Sequence, residues 1–363
     1  MTFSATDSAH MARALQLAAQ GRYTAHPNPM VGCVIVAGES VVGTGYHARA
    51  GGPHAEIHAL DEAGERARGA TVYVTLEPCA HHGRTPPCAD ALVAAGVRRV
   101  VAAMQDPFPE VAGRGLARLR DAGIAVESGL LEDQAAALNR GFVSRVARGR
   151  PFVCLKVASS IDGAIAMQSG ASQWITGPES RRDVQRLRAR SGAILTGIGT
   201  VLADDPSLTV RDVDTGGRQP LRVVLDSRLR MPEEARMLAQ PGSTLVVGAG
   251  TGDASRLEAR GAEVRHFAAT GGQVDACRVL EDLAARGINE VLVEAGPGLS
   301  GSLVDMGLVD ELVIYQAPHI MGSETRGMFR TPGWRSLDDR RALDIIDVRR
   351  MGSDTRITAR ISG

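Results

Sequence analysis

Ala147-Arg148-Gly149-Arg150-Pro151 interrupts the chain with basic, glycine and proline residues, and on either side of it the sequence alternates helix-like and strand-like runs. A chain of 363 residues exceeds what one hydrophobic core usually organises. The break therefore predicts two α/β domains, residues 1–147 and 151–363, each with helices packed on a sheet. In the first, Met11, Ala14, Leu15 and Ala18 have helical spacing, 30–36 and 41–46 read as a hairpin, and 54–64 reads as a helix. A strand over 71–76, a helix over 89–95, strands over 99–103 and 125–128, and a helical run over 131–146 follow. In the second, strands over 152–158, 193–196, 221–225, 244–247 and 290–293 are interleaved with helices over 179–190 and 276–286. Three strand-like runs, 311–317, 343–349 and 355–361, close the chain without helices between them, which predicts a mixed sheet with an antiparallel edge.

Composition narrows the partners. Forty-one basic residues balance forty-one acidic ones, and aromatics make up 3% of the chain, so a nucleic-acid groove with stacking platforms is disfavoured. No run of apolar residues reaches the roughly 18 needed to span a membrane, and no basic-then-apolar leader opens the sequence, so a cytoplasmic protein is expected. Five cysteines scattered over a long chain suit metal binding or burial better than a disulfide framework. Cys33, Cys154 and Cys277 read as small buried hydrophobes. Lys156 is the only lysine. It offers a compact, titratable point donor that none of the many arginines can replace.

His54-Ala55-Glu56, followed by Pro78-Cys79 and Pro87-Cys88, supplies an imidazole, two thiols and a carboxylate. Zinc prefers nitrogen and sulfur ligands, and three protein ligands leave its fourth position for water, as in a catalytic site. Glu56 lies about 200° around an ideal helix from His54, so both face one centre only if His54 sits at the irregular start of that helix. Each cysteine follows a proline, a residue favoured at a first helical turn, where the helix dipole favours a thiolate. The competing readings are a closed zinc knot with His81 or His82 as a fourth ligand, which has no use for Glu56, and buried cysteines with no metal.

The general zinc-deaminase pattern is His-x-Glu with a later Pro-Cys-x-x-Cys, and here the cysteines stand farther apart. The segment from Glu77-Pro78-Cys79 through Ala80-His81-His82-Gly83-Arg84-Thr85-Pro86-Pro87 to Cys88 resembles the signature of the riboflavin-pathway deaminases, within the cytidine-deaminase-like superfamily. His26-Pro27-Asn28-Pro29-Met30 resembles their substrate loop. The resemblance implies that His54, Cys79 and Cys88 hold zinc, that Glu56 shuttles protons, and that Asn28, His47 and Arg84 contact the pyrimidine or its ribosyl phosphate.

In the second half, Glu290 to Ser302 reads as a strand, a glycine-rich turn and a helix. Gly296, Gly298 and Gly301 satisfy Gly-x-Gly-x-x-Gly, a weak signal without the acidic residue that a dinucleotide fold places about twenty residues on. A plain helix-packing turn is the competing reading. With Lys156 to Gly163, Ser172 to Gly177 and Gly197 to Arg211 in order, however, the region resembles the reductases of the same pathway, which have a dihydrofolate-reductase-like fold and use NADPH. The resemblance implies that Ala158, Trp174, Thr200, Asp204, Ser227 and the loop Gly296, Pro297, Gly298, Leu299, Ser300, Gly301, Ser302 line the cofactor. It implies that Ser172, Arg188, Leu208, Arg211 and Glu294 hold the sugar phosphate, and that Lys156 approaches the reacting carbon.

These readings converge on a bifunctional enzyme that deaminates a phosphorylated pyrimidine and then reduces its ribosyl group, with Zn²⁺ and NADPH as cofactors. The resemblance adds a homo-oligomer, a dimer; residues 327–363 offer no chemical motif and are read as scaffold or dimer surface. Two rivals remain at this point. One is a nucleoside or nucleic-acid deaminase with an accessory nucleotide-binding domain. The other is a zinc-stabilised nucleotide sensor.

Overall fold

A computed structural model describes residues 3–80, 87–109, 111–267 and 269–361, and the chain divides into two units, Met1–Gly149 and Arg150–Gly363.

The first unit is a five-stranded sheet between helices. In chain order it comprises α1 (Ala5–Ala18), β1 (Gly32–Ala37), β2 (Ser40–Tyr46), α2 (Ala55–Ala63), β3 (Thr71–Val74), α3 (Cys88–Ala95), β4 (Arg99–Ala102), α4 (Arg114–Asp121), β5 (Ala125–Ser128), α5 (Glu132–Leu138) and α6 (Arg140–Arg148). The strand order is β2-β1-β3-β4-β5, antiparallel through β1 and parallel from β3 onward. Strands β1, β3 and β4 have apolar residues on both faces because helices cover both. Close approach of α2 to the hairpin requires small residues: a Cβ on Gly43 would lie 2.1 Å from the Ala59 carbonyl oxygen.

The helical run expected over 131–146 is two helices. Asn139 separates them because its buried side chain binds a distant stretch of backbone. Its Oδ1 accepts from the Met30 N–H at 2.7 Å and its Nδ2 donates to the Met30 carbonyl at 2.8 Å. The chain leaves the helix where an amide pins the segment that precedes β1.

The second unit comprises β6 (Phe152–Ser160), β7 (Ala164–Met167), α7 (Pro178–Arg190), β8 (Ala193–Gly197), α8 (Ile198–Asp204), β9 (Leu221–Leu225), β10 (Thr244–Ala249), α9 (Ser255–Glu258), β11 (Glu263–Phe267), β12 (Ala269–Thr270), β13 (Gln273–Val274), α10 (Ala276–Ala285), β14 (Glu290–Val293), α11 (Pro297–Asp305), β15 (Glu311–Ala317), β16 (Thr325–Gly327), β17 (Leu343–Met351) and β18 (Asp354–Ile361). Nine strands form one sheet in the order β11-β10-β9-β8-β14-β6-β15-β18-β17, parallel as far as β15 and antiparallel at β18 and β17. The expected antiparallel edge is present. The strands β11 and β16 carry exposed or charged residues that conceal them from apolar periodicity, and β7, β12 and β13 are too short to show a period. Two apolar layers, one centred on Leu155, Leu195, Val247 and Leu283 and the other on Ile194, Val224, Met237 and Val313, sandwich the sheet.

Candidate active sites

In the first unit the site is built at helix starts. His54 is the N-cap of α2, with φ −77° and ψ 164°, so its extended backbone turns the imidazole to the same side as Glu56, the second residue of the helix. Cys88 is the first residue of α3 after Pro87. Cys79 departs from the expected pattern: it lies in irregular chain after β3, not on a helix, so the expected helix start is found at Cys88 alone, where the hydrogen bond to Cys79 and burial push the thiol pKa up against the dipole.

His54 Nδ1 lies 3.2 Å from Cys88 Sγ and 3.7 Å from Cys79 Sγ, and all three ligand atoms fall within 4.8 Å of one another. A tetrahedral zinc with bonds of about 2.0 and 2.3 Å sets nitrogen–sulfur separations of about 3.5 Å. The donor set and spacing fit zinc. The Cys88 thiol and, after it, the His54 ring donate toward Cys79 and lower its pKa against the burial that raises it, while the Cys88 backbone N–H adds a further contact at 3.3 Å.

Glu56 is 3% exposed, and burial pushes its carboxyl up to about 7, partly countered by backbone hydrogen bonding and by His54. A carboxyl poised near neutrality both accepts and releases a proton. His47, 2% exposed, stands edge-on to His54 with ring centroids 5.5 Å apart. Burial lowers its pKa, and its Nδ1 donates to the Pro53 carbonyl at 3.1 Å, which leaves Nε2 to accept from the Asn28 amide at 3.0 Å. Asn28 and His47 are therefore brought together beside the ligands. Arg84, His81 and His82 lie outside the described residues.

Sequence reasoning missed Glu77. Its buried carboxylate accepts from four backbone N–H groups, those of Asp106, Gly113, Gly115 and Leu116, at 2.8 to 3.3 Å. This clasp ties the residue two before Cys79 to the start of α4. A Cβ on Gly115 would lie 1.8 Å from the Pro78 carbonyl oxygen. Gly115→Ala is expected to push the Cys79 segment away and weaken zinc binding about 10- to 100-fold, as loss of a ligand's supporting shell does. Competition with a chromophoric chelator measures it, and unchanged affinity contradicts this role for the clasp.

In the second unit Thr200, Ser227 and Glu294 stand just after the C-terminal ends of the parallel strands β8, β9 and β14, where α/β sheets bind ligands, while Lys156 and Ala158 lie within β6 and Arg188 on α7. Val293 of β14 pairs with Leu155 of β6, so Glu294 and Lys156 leave neighbouring strands at one level. Glu294 receives a two-pronged contact from Arg188 of α7, Nε at 2.6 Å and Nη2 at 3.0 Å, while Arg188 Nη1 donates to the Thr209 carbonyl at 3.0 Å. The arginine expected to grip a phosphate through its fork spends that fork on Glu294. Burial pushes the Glu294 carboxyl up, and Arg188 with Lys156 more than reverses it. Burial likewise lowers the Lys156 pKa, against the pull of Glu294.

Around this centre, Thr200 Oγ1 accepts from the Gly296 N–H at 3.2 Å, joining α8 to the start of α11. Ser172 Oγ donates to Asp204 Oδ1 at 3.3 Å. Pro297 is the first residue of α11 and open space surrounds Gly298 and Gly199, so this helix N-terminus can receive a phosphate. Gly301 is different: a Cβ there would lie 2.2 Å from the Arg330 carbonyl oxygen, so its missing side chain lets two backbones meet. Ser300 is buried on the Ala295 carbonyl, Leu299 is half-buried beside Gly197, and Ser302 is exposed. Ser227, after β9, accepts from the Val274 N–H at 3.2 Å. Ala158 is half-buried in β6, Leu208 is buried with φ +46°, and the Arg211 side chain is exposed while its N–H is held by Gln185 at 2.9 Å. Trp174 is 71% exposed.

Comparisons with known proteins agree with this division. Residues 4–104 match the cytidine and deoxycytidylate deaminase zinc-binding region, and residues 151–357 match the RibD C-terminal domain. The riboflavin biosynthesis protein RibD of Escherichia coli K12 is 52% identical over 359 residues, covering 96% of this chain and 97% of that one. RibD of Haemophilus influenzae is 45% identical, covering 99% of this chain and 98% of the other. Among solved structures, RibD of Acinetobacter baumannii superposes with a TM-score of 0.93 at 45% identity, covering 99% of both chains. A diaminohydroxyphosphoribosylaminopyrimidine deaminase/5-amino-6-(5-phosphoribosylamino)uracil reductase from Thermotoga maritima gives 0.86 at 33% identity, covering 98% of this chain and 99% of that one.

Proposed function

The chain belongs to the RibD family of riboflavin biosynthesis proteins, deaminase and reductase in one polypeptide, and from that premise we propose how its residues divide the two reactions. The first converts the diaminopyrimidine ribosyl phosphate to the corresponding uracil with release of ammonia. The second reduces the ribosyl group to ribityl. Zinc and NADPH are the cofactors. The observation that carries the assignment is the convergence of His54, Cys79 and Cys88 beside the buried Glu56.

His54, Cys79 and Cys88 would hold the zinc, which when bound would supply an acidified water. Glu56 takes a proton from the attacking water and returns it to the departing amino nitrogen. Asn28 and His47, already hydrogen-bonded to each other, present an amide and a ring edge to the pyrimidine. In the second unit the residues after β8 and β14 would hold NADPH, which when bound would supply the hydride for the first carbon of the opened ribosyl group. Lys156 polarises that carbon's heteroatom, and Arg188 keeps Glu294 ionised and oriented beside it. Thr200, Asp204, Ser227 and the start of α11 are assigned to the cofactor. Ser172, Leu208 and Arg211 are assigned to the sugar phosphate. Removing the metal with a chelator tests the division: ammonia release stops while NADPH oxidation with the deaminated substrate continues. Loss of both activities in folded protein overturns it.

We place the protein in the cytoplasm, a reading supported by its free cysteines and its use of NADPH. Among the described residues no helix is long and apolar enough to cross a membrane. A homodimer is supported by β17, the last strand of the nine-stranded sheet, which exposes Leu343, Ile345, Ile346 and Val348. An exposed apolar edge of this kind is a pairing surface. Ile345→Lys combined with Val348→Lys is expected to halve the mass measured by light scattering, and an unchanged mass contradicts this interface.

A further inference from the structure

We propose that Arg181 is a positioning residue for the reductase, one that holds the Trp174 indole as a preformed platform for a flat face of the nicotinamide cofactor. The proposal rests on the reading that Trp174 lines the cofactor site. Its basis is the way the segment around Trp174 is fastened. The Arg181 guanidinium carbon lies 4.8 Å from the centroid of the Trp174 ring, within cation–π range. The same guanidinium donates through Nη1 to the Thr176 carbonyl at 2.6 Å, so the group stacked on the ring is also tied to the backbone that carries it.

The segment is anchored at both ends. On one side Ser172 bonds Asp204 of α8 at 3.3 Å. On the other, Asp354 Oδ2 accepts from the Gly177 N–H at 2.7 Å and from Ser180 Oγ at 2.5 Å. Asp354 is 1% exposed and opens β18, so the start of α7 is fixed to the sheet. Between these anchors stands an indole that is 71% exposed. A ring in that position contributes little to a core, yet one of its faces is stacked against a tethered guanidinium. Fixing a side chain in advance removes the ordering cost that a ligand would otherwise meet, which strengthens binding without any new contact to the ligand. Arg181 therefore acts through Trp174.

The chain has 2 tryptophans, Trp174 and Trp334, so Trp334→Phe leaves Trp174 as the only indole reporter. In that background NADPH is expected to change the Trp174 emission, and the titration gives the dissociation constant. Adding Arg181→Met is expected to weaken NADPH binding about 3- to 10-fold, in keeping with loss of one cation–π contact and its tether. The turnover rate at saturating NADPH and the release of ammonia should stay within about twofold, since the chemical groups are untouched. Arg181→Lys, which keeps a cation over the ring, restores most of the affinity. Unchanged NADPH affinity in Arg181→Met overturns the proposal. So does a weakening that Arg181→Lys shares in full together with a lower melting temperature, which assigns Arg181 to folding. If NADPH binds the parent without any change in Trp174 emission, the placement of Trp174 at the cofactor fails, and the role of Arg181 fails with it.

Discussion

Glu56→Gln is expected to lower ammonia release by about 10²- to 10⁴-fold, the range that a positioned proton carrier contributes, while zinc remains bound at one ion per chain. Gln keeps the size of Glu56 and its ability to hydrogen bond, and it leaves His54, Cys79 and Cys88 in place. What it removes is the capacity to take a proton from water and deliver it to nitrogen. Reduction of the deaminated substrate should be unchanged. Stability supplies a second readout. Folded metal-free Glu56 holds its proton up to about pH 7, whereas an exposed carboxyl releases it near pH 4.3. The folded form thus binds more protons across that interval, stability falls as pH rises through it, and the whole penalty persists above it. The metal-free Gln variant should therefore melt no lower than its parent at pH 8. A variant that loses zinc together with activity would make Glu56 a structural support for the ligands instead of a proton carrier.

Lys156→Met is expected to reduce NADPH-dependent reduction by about 10²- to 10³-fold, the effect of deleting one donor aimed at a reacting centre, with ammonia release unaffected. Met preserves the length of the side chain and accepts its burial. The residue's alkaline behaviour gives an independent check. Burial lowers the Lys156 pKa below the ordinary lysine value, against Glu294, which favours the charged form. If the ammonium polarises the substrate, the reduction rate falls on the alkaline side as that proton is lost, at a pH lower than a free lysine would give. The Met variant should lose this alkaline limb along with most of its rate. An alkaline limb that survives in Lys156→Met would assign the titration to another group.

The zinc site was largely legible because its chemistry constrains both residue type and spacing. An imidazole and a carboxylate two residues apart face one centre only at a helix start, and His54 is the N-cap of α2. The family match bears out the two-part fold, the cofactors and the bifunctional reading. The less legible parts depend on contacts between distant stretches of chain. Nothing local marks Glu77 as the acceptor of four backbone N–H groups or Asn139 as the clamp on Met30, since each partner lies far along the chain. Proline before cysteine suggested a helix start at Cys79 as well as Cys88, but the close approach of Gly115 to the Pro78 carbonyl belongs to a packed loop. In the second unit the glycine pattern read as one loop has two uses. Gly298 borders open space at the α11 N-terminus, and Gly301 lets the Arg330 backbone pass. Arg188 and Glu294 were both expected at the sugar phosphate, and that they pair with each other emerges only from the packing of α7 against β14.

We propose that deamination in the first unit precedes reduction in the second. The most direct test follows ammonia from the diaminopyrimidine nucleotide with zinc-loaded protein, and then, in the same tube, the oxidation of added NADPH. Ammonia without NADPH, followed by NADPH oxidation that approaches the ammonia already released, is the predicted result. NADPH oxidation that proceeds with Glu56→Gln protein and the undeaminated substrate at the parent's rate would contradict it.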